Sequence, residues 1–189
     1  MRRTPWPRRR AIRNPIGAVA TLAAIGLIAA LAALFWPPAA SLSGVATAID
    51  GDTLRIGDTR VRLLGLDAVE LDQTCIDSAG AEWQCGREAR TFLSQLTANG
   101  STDCAADGHD RYRRVLARCS TGSVDLGDRI VRAGWAVAEL EYGVALAEAR
   151  LHGRGIWSGR FDDPAEWRRN HGADSFDFWS WLMGLFGRW

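Results

Sequence analysis

The stretch Ile49-Asp50-Gly51-Asp52-Thr53-Leu54-Arg55-Ile56-Gly57-Asp58-Thr59-Arg60-Val61-Arg62-Leu63-Leu64-Gly65-Leu66-Asp67-Ala68-Val69-Glu70 decides the fold. Two acids, Asp50 and Asp52, precede a strand-turn-strand pattern. Thr53, Leu54 and Ile56 form one arm, Thr59, Val61, Leu63, Leu64 and Leu66 the other, and Gly57-Asp58 suits a two-residue hairpin turn. A hairpin brings its outer ends together, so Asp52 and Asp67 meet, with Arg62 on the returning arm and Glu70 close by. Clustered carboxylate oxygens suit a hard cation such as Ca²⁺.

Around this stretch, 189 residues leave room for one ordinary domain plus appendages. A hydrophobic content of 47% with 24% charged residues argues for a folded chain. The net charge of +1 hides an asymmetry: residues 1–15 hold six arginines and no acid, leaving 17 basic against 22 acidic residues beyond them. A global basic field for polyanions is absent, so affinity for phosphate must come from a local cluster. Every basic side chain is arginine; lysine is absent.

Residues 16–36 form an uncharged run of 21, mostly Ala, Leu and Ile. At about 1.5 Å per residue it spans roughly 30 Å, the thickness of a bilayer core. The arginine-rich flank keeps the N-terminus cytoplasmic and places everything after Pro37 outside, in the periplasm or beyond. A cleaved signal is the alternative, with Pro38-Ala39-Ala40-Ser41 as a small-residue cleavage site and a secreted product. Signal h-regions usually run about 7–15 residues, so the length favours a retained anchor in the cell membrane. The four cysteines lie on the exported side, where an even count reads as disulfides; the pairing local in sequence is Cys75–Cys85 and Cys104–Cys119. A zinc site is the weaker reading, because no pair has C-x-x-C spacing and the three histidines are scattered.

Strands are expected at 44–49, 53–56 and 59–66, then a stapled loop over 71–84. Residues 87–98 read as an amphipathic helix, with Ala89, Phe92, Leu93 and Leu96 on one face, closed by Asn99-Gly100. Strands at 102–106 and 115–120 flank a polar loop, 107–114. Helices follow at 126–133 and 142–152, and Asp163-Pro164-Ala165-Glu166 starts another. This is an α+β domain at 41–160: a small barrel of about five strands with about three packed helices, preceded by one transmembrane helix. The segment 161–189 is a helical, Trp-rich tail. Within it, 176–189 can place Phe178, Trp181, Leu182, Leu185 and Trp189 on one face, suited to a membrane interface or to packing on the domain. Nothing points to a protein partner.

Four motifs run in order: Ile-Asp-Gly-Asp-Thr at 49–53, Arg-Leu-Leu-x-x-Asp-x-x-Glu at 62–70, Asp-x-Tyr-x-Arg at 110–114 and Gly-Ile-Trp at 155–157. Over about 44–157 they resemble the thermonuclease (staphylococcal-nuclease-like) family, an OB-fold barrel with helices. The resemblance implies a Ca²⁺-dependent endonuclease acting on accessible DNA and RNA, cutting the 5′-oxygen bond to leave 3′-phosphate ends. It implies Asp52, Asp67 and the Ala68 main-chain carbonyl as metal ligands, with Asp50 shaping the site. Arg62 and Arg114 match the catalytic arginines and Glu70 the proposed general base. Arg111 and Tyr112 match positions that hold a terminal phosphate, and Tyr142 stands where related enzymes place tyrosines for base stacking.

The chemistry of the side chains supports these roles independently. Attack on a phosphodiester builds negative charge that a cation and two guanidinium groups neutralise, while a carboxylate orients or deprotonates the water. Two positions depart from the family pattern. Val69 replaces a proline before the glutamate, which leaves the Glu70 loop less rigid. Arg113 replaces a glycine before the second arginine, which strains the loop if that position has positive φ. A non-catalytic OB-fold binder of polyanions and a calcium-stabilised module at the membrane surface are the alternative readings.

Overall fold

The computed structural model describes residues 15–35 and 41–171, with side chains at 17–31 of the first segment. They belong to two units, 1–38 and 39–189, taken separately. In the first, α1 (Pro15–Phe35) is a 21-residue helix without a charged residue. Among the described residues no helix is long and apolar enough to cross a membrane. Residues 1–14 and the tail 176–189 lie outside the described residues.

The second unit opens on two consecutive extended pieces, β1 (Ser41–Gly44) and β2 (Ala46–Ala48). The expected hairpin follows as β3 (Thr53–Ile56) and β4 (Thr59–Leu63), with Gly57 at φ +57° in its turn. Their alternation buries Leu54, Ile56, Val61 and Leu63 and leaves Arg55 and Arg60 exposed. After β5 (Leu66–Ala68), the expected loop contains a short hairpin, β6 (Cys75–Ile76) and β7 (Glu82–Trp83). The Asp77 carboxylate closes its turn by accepting from Ala79 N and Ala81 N. Strands of two residues leave no readable period, which is why the sequence reads there as loop.

Helix α2 (Cys85–Thr97) buries Ala89 and Leu93 and packs Phe92 and Leu96 on the core, the face expected from their spacing. The chain returns as β8 (Thr102–His109), β9 (Val115–Thr121) and β10 (Val124–Asp125). Helix α3 (Leu126–Arg132) is capped by Asp125, which accepts from Asp128 N. Then come β11 (Ala136–Ala138), α4 (Gly143–Leu151) and α5 (Pro164–His171). The described residues thus carry α1, the three helices expected within 41–160, and α5 at the helix start expected from 163–166.

The main sheet runs β1-β8-β9-β4-β3-β2, with β10 added on β9. Its two edges are successive pieces of the chain: Ser41–Gly44 pairs with β8 and Ala46–Ala48 with β3. The sheet therefore curls on itself, consistent with the OB-fold. β4 and β9 are parallel, with Arg62 opposite Leu116, and this places the 110–114 loop beside Arg62. A second pair, β5 with β11, sets Asp67 opposite Val137; three-residue strands gave no sequence signal.

The interior centres on Leu54, Val61, Leu63, Leu93, Leu126 and Ile130, each buried. Fully burying one such side chain contributes about 1.5–3 kcal/mol. A satellite cluster of Val69, Cys75, Cys85, Ala89 and Ile156 lies under Trp83, Trp135 and Trp157. Cysteines 75 and 85 are bonded, as are 104 and 119, the latter directly opposite across β8 and β9. With Cys104 and Cys119 separated by 15 positions in sequence, replacing both by serine is expected to cost about 3 kcal/mol. The check is a fall in thermal midpoint, smaller than the fall that reductant causes in the parent chain by opening both bonds.

Candidate active site

The turn before β3 is built by Asp50, whose Oδ1 accepts from Asp52 N (3.0 Å) and Thr53 N (2.6 Å). This closed turn points the Asp52 side chain inward, where it is 4% exposed. Its Oδ1 accepts from Thr53 Oγ1 at 2.9 Å and its Oδ2 from Ala68 N at 3.4 Å. Arg62, opposite Thr53 in the β3–β4 register, reaches both outer acids: its Nη2 lies 2.9 Å from Asp52 Oδ2 and 2.5 Å from Asp67 Oδ1. Burial pushes the Asp52 carboxyl up to about 7, against the opposing pull of Arg62, with Asp50 and Asp67 adding to the rise. The hairpin ends meet as their spacing implied, with a guanidinium between them.

Glu70 leaves the barrel on a loop fixed from behind. Its N–H donates to Gln73 Oε1 at 3.0 Å, and Gln73, fully buried, donates from Nε2 to Asp162 O at 2.7 Å. The Gln73 carbonyl accepts from Gly86 N at 3.1 Å. At Gly86 a Cβ would lie 1.7 Å from Glu70 O, so only glycine lets α2 approach this loop. Val69 is itself buried, and its N–H reaches Trp135 O at 3.3 Å. The rigidity that a proline would give is supplied here by Gln73 and by packing.

The Arg114 loop is organised by Asp110. Its Oδ1 accepts from Tyr112 N and Arg114 N, both at 2.9 Å, and its Oδ2 from Arg114 Nε at 2.7 Å. Although burial works the other way, these bonds and the Arg114 charge hold the Asp110 carboxyl below its ordinary value. Arg114 Nη1 lies 3.4 Å from Thr53 Oγ1, so one threonine touches both Asp52 and the second arginine. Arg113 has φ +64°, the strained conformation anticipated where the family pattern has glycine.

Asp50, Asp52, Arg62, Ala68, Glu70, Arg111, Tyr112 and Arg114 all line one cleft of about 700 Å³; Asp67 is not among its lining residues but accepts from Arg62 Nη2. Tyr112 is exposed, and the guanidiniums of Arg111 and Arg114 lie 4.7 and 5.6 Å from its ring centre. Tyr142 requires a correction. It is 7% exposed and belongs to the core, where it packs on Gly127, so it offers no face to a base. Arg118 is likewise outside the cleft, paired with Glu141 and Asp107. Sequence reading missed Gln73, whose amide joins the nearby Glu70 N–H to the Asp162 carbonyl, 89 residues away in sequence. It also missed Arg168 of α5, whose Nη atoms contact Asp67 at 2.9 and 2.7 Å and Glu70 at 2.6 Å. The helix start at 163–166 was legible; which face met the cleft was not.

Among the described residues no group of three His, Cys, Asp or Glu side chains is arranged to hold a metal ion. Asp52 and Asp67 nevertheless each place an oxygen against the same nitrogen of Arg62. This all-oxygen donor set, already gathered around a positive charge, fits a hard divalent cation in chemistry.

A family model described as "Staphylococcal nuclease homologue" matches residues 60–159. The match takes in Arg62, Asp67, Glu70 and the 110–114 loop and ends before α5. The succinoglycan biosynthesis protein ExoI of Rhizobium meliloti (strain 1021) is 36% identical over 121 residues, covering 60% of this chain. The chain spans 63% of that protein's length. Two substitutions test the loop geometry. Arg113→Gly is expected to raise stability by about 1 kcal/mol by removing the left-handed strain, whereas Gly86→Ala lowers it because the Glu70 carbonyl must move. Urea midpoints at constant m-value check both.

Proposed function

The chain belongs to the staphylococcal nuclease homologue family, and we propose that it is a Ca²⁺-dependent endonuclease hydrolysing DNA and RNA with little sequence specificity. One observation carries this reading. Arg62 from β4 and Arg114 from the loop before β9 converge on Asp52 and Thr53, with Glu70 across the same cleft. A phosphodiester in the cleft accepts from the two guanidiniums, which stabilise the charge that develops on its oxygens as water attacks. Glu70 takes a proton from that water. When bound, Ca²⁺ supplies further positive charge to the phosphate; Asp52, Asp67 and the Ala68 carbonyl would hold it, with Asp50 fixing the turn beneath. Arg111 and Tyr112 bind a neighbouring or terminal phosphate, and the exposed Tyr112 ring offers a base the stacking surface that Tyr142 does not. The bond from phosphorus to the 5′-oxygen breaks as the water oxygen joins phosphorus, the leaving oxygen takes a proton from solvent, and the products carry 3′-phosphate and 5′-hydroxyl ends.

The uncharged α1, the arginines ahead of it and two disulfides support a single-pass anchor with the N-terminus cytoplasmic and the domain periplasmic or extracellular. The tail 176–189 is a second membrane contact in this reading. The acidic balance beyond residue 15 implies weak, salt-sensitive substrate binding through the local arginines.

The test incubates the full chain in mild detergent with plasmid and single-stranded DNA, in Ca²⁺ or EGTA. Calcium-dependent degradation is expected, falling about 10²- to 10³-fold in Glu70→Gln and in Arg62→Ala. Intact DNA that still shifts on a gel favours the non-catalytic binder. Neither cleavage nor shift, with a calcium-raised melting temperature, favours the structural module. For topology, protease added outside spheroplasts is expected to digest the domain; protection there overturns the orientation.

A further inference from the structure

Of the arginines lining the cleft, Arg168 comes from outside the matched residues 60–159. It is carried by a helix with firm footing. The Asp163 carboxylate accepts from Ala165 N at 2.9 Å and starts α5 behind the buried Pro164. Gln73 ties the preceding Asp162 to the Glu70 loop, and Trp167 Nε1 reaches Asp72 Oδ1 at 3.4 Å. The guanidinium is thus delivered from the same framework that positions Glu70.

Its contacts are selective. Nη1 and Nη2 take both oxygens of Asp67, at 2.9 and 2.7 Å, and Nη1 also takes Glu70 Oε1 at 2.6 Å. With Arg62 on Asp67 Oδ1 as well, both Asp67 oxygens are occupied by cationic donors. Two carboxylates this close repel, and the shared fork offsets that repulsion. A cation binding to Asp67 must displace part of the same fork.

We propose that Arg168 is a positioning residue with two opposed effects: it holds the Glu70 carboxylate in its working place, and it lowers the affinity of the Asp52–Asp67 pair for the cation by competing for Asp67. The inference rests on the nuclease reading above. A merely structural residue would weaken cation binding and turnover together when removed, whereas this one separates them. The fork is partly exposed, so its hold is moderate.

Calorimetric titration of Ca²⁺ into the full chain in detergent, without nucleic acid, tests the first effect, and kcat on a single-stranded oligonucleotide the second. Arg168→Gln is expected to tighten Ca²⁺ binding about five- to tenfold while kcat falls about tenfold or more. Arg168→Lys keeps the charge but cannot fork both Asp67 oxygens, so it falls between parent and Arg168→Gln in both readouts. Unchanged or weaker Ca²⁺ binding in both variants, with heat still seen for the parent, overturns this inference alone. Absence of Ca²⁺ binding in the parent and both variants overturns the calcium reading, and this inference with it.

Discussion

A carboxylate with almost no access to water, Asp52, is the constraint on which the rest of the site depends. An isolated buried carboxylate costs several kcal/mol unless charge and hydrogen bonds offset its desolvation. Here Arg62, Thr53 Oγ1 and the Ala68 N–H supply that compensation. Each demands a backbone placement: Arg62 opposite Thr53 on β4, Thr53 at the head of β3, Ala68 on β5. The hairpin register, the approach of β5 and the Asp50 turn are three answers to one electrostatic requirement. The raised affinity of Asp52 for a proton marks where that compensation is incomplete.

The second half of the site is held by other means. Asp110 binds two backbone N–H groups and the Arg114 side chain together, so the loop between β8 and β9 has a folded interior despite its exposure. The strain at Arg113 is sustained because these bonds over-determine the turn. At Glu70 the solution is different. A buried amide, Gln73, joins the loop to the segment leading into α5, and the nearby arginine of that helix reaches the same carboxylates.

The hairpin, the convergence of Asp52 with Asp67, the α2 face and the loop carrying Arg114 were legible because they rest on period-two alternation, 3.6-residue spacing and turn chemistry. These are properties of neighbours in sequence. Short pairings such as β5 with β11 and β6 with β7 were not, since two or three residues carry no period. Tyr142 was misplaced for a related reason: a tyrosine at the right distance along the chain says nothing about whether its ring turns outward or fills the space above Gly127. Gln73 and Arg168 act across separations of 89 and about 100 residues, and their side chains bear no local signature of those partners.

The bond between Cys75 and Cys85 ties the first residue of α2 to the chain two residues beyond Gln73, beside Gly86, which lies against the Glu70 carbonyl. A reduced chain would keep every side chain of the cleft yet lack the covalent tie next to the Glu70 loop. On the exported-nuclease reading proposed above, that tie would form only after the chain has left the compartment that holds the cell's own nucleic acid.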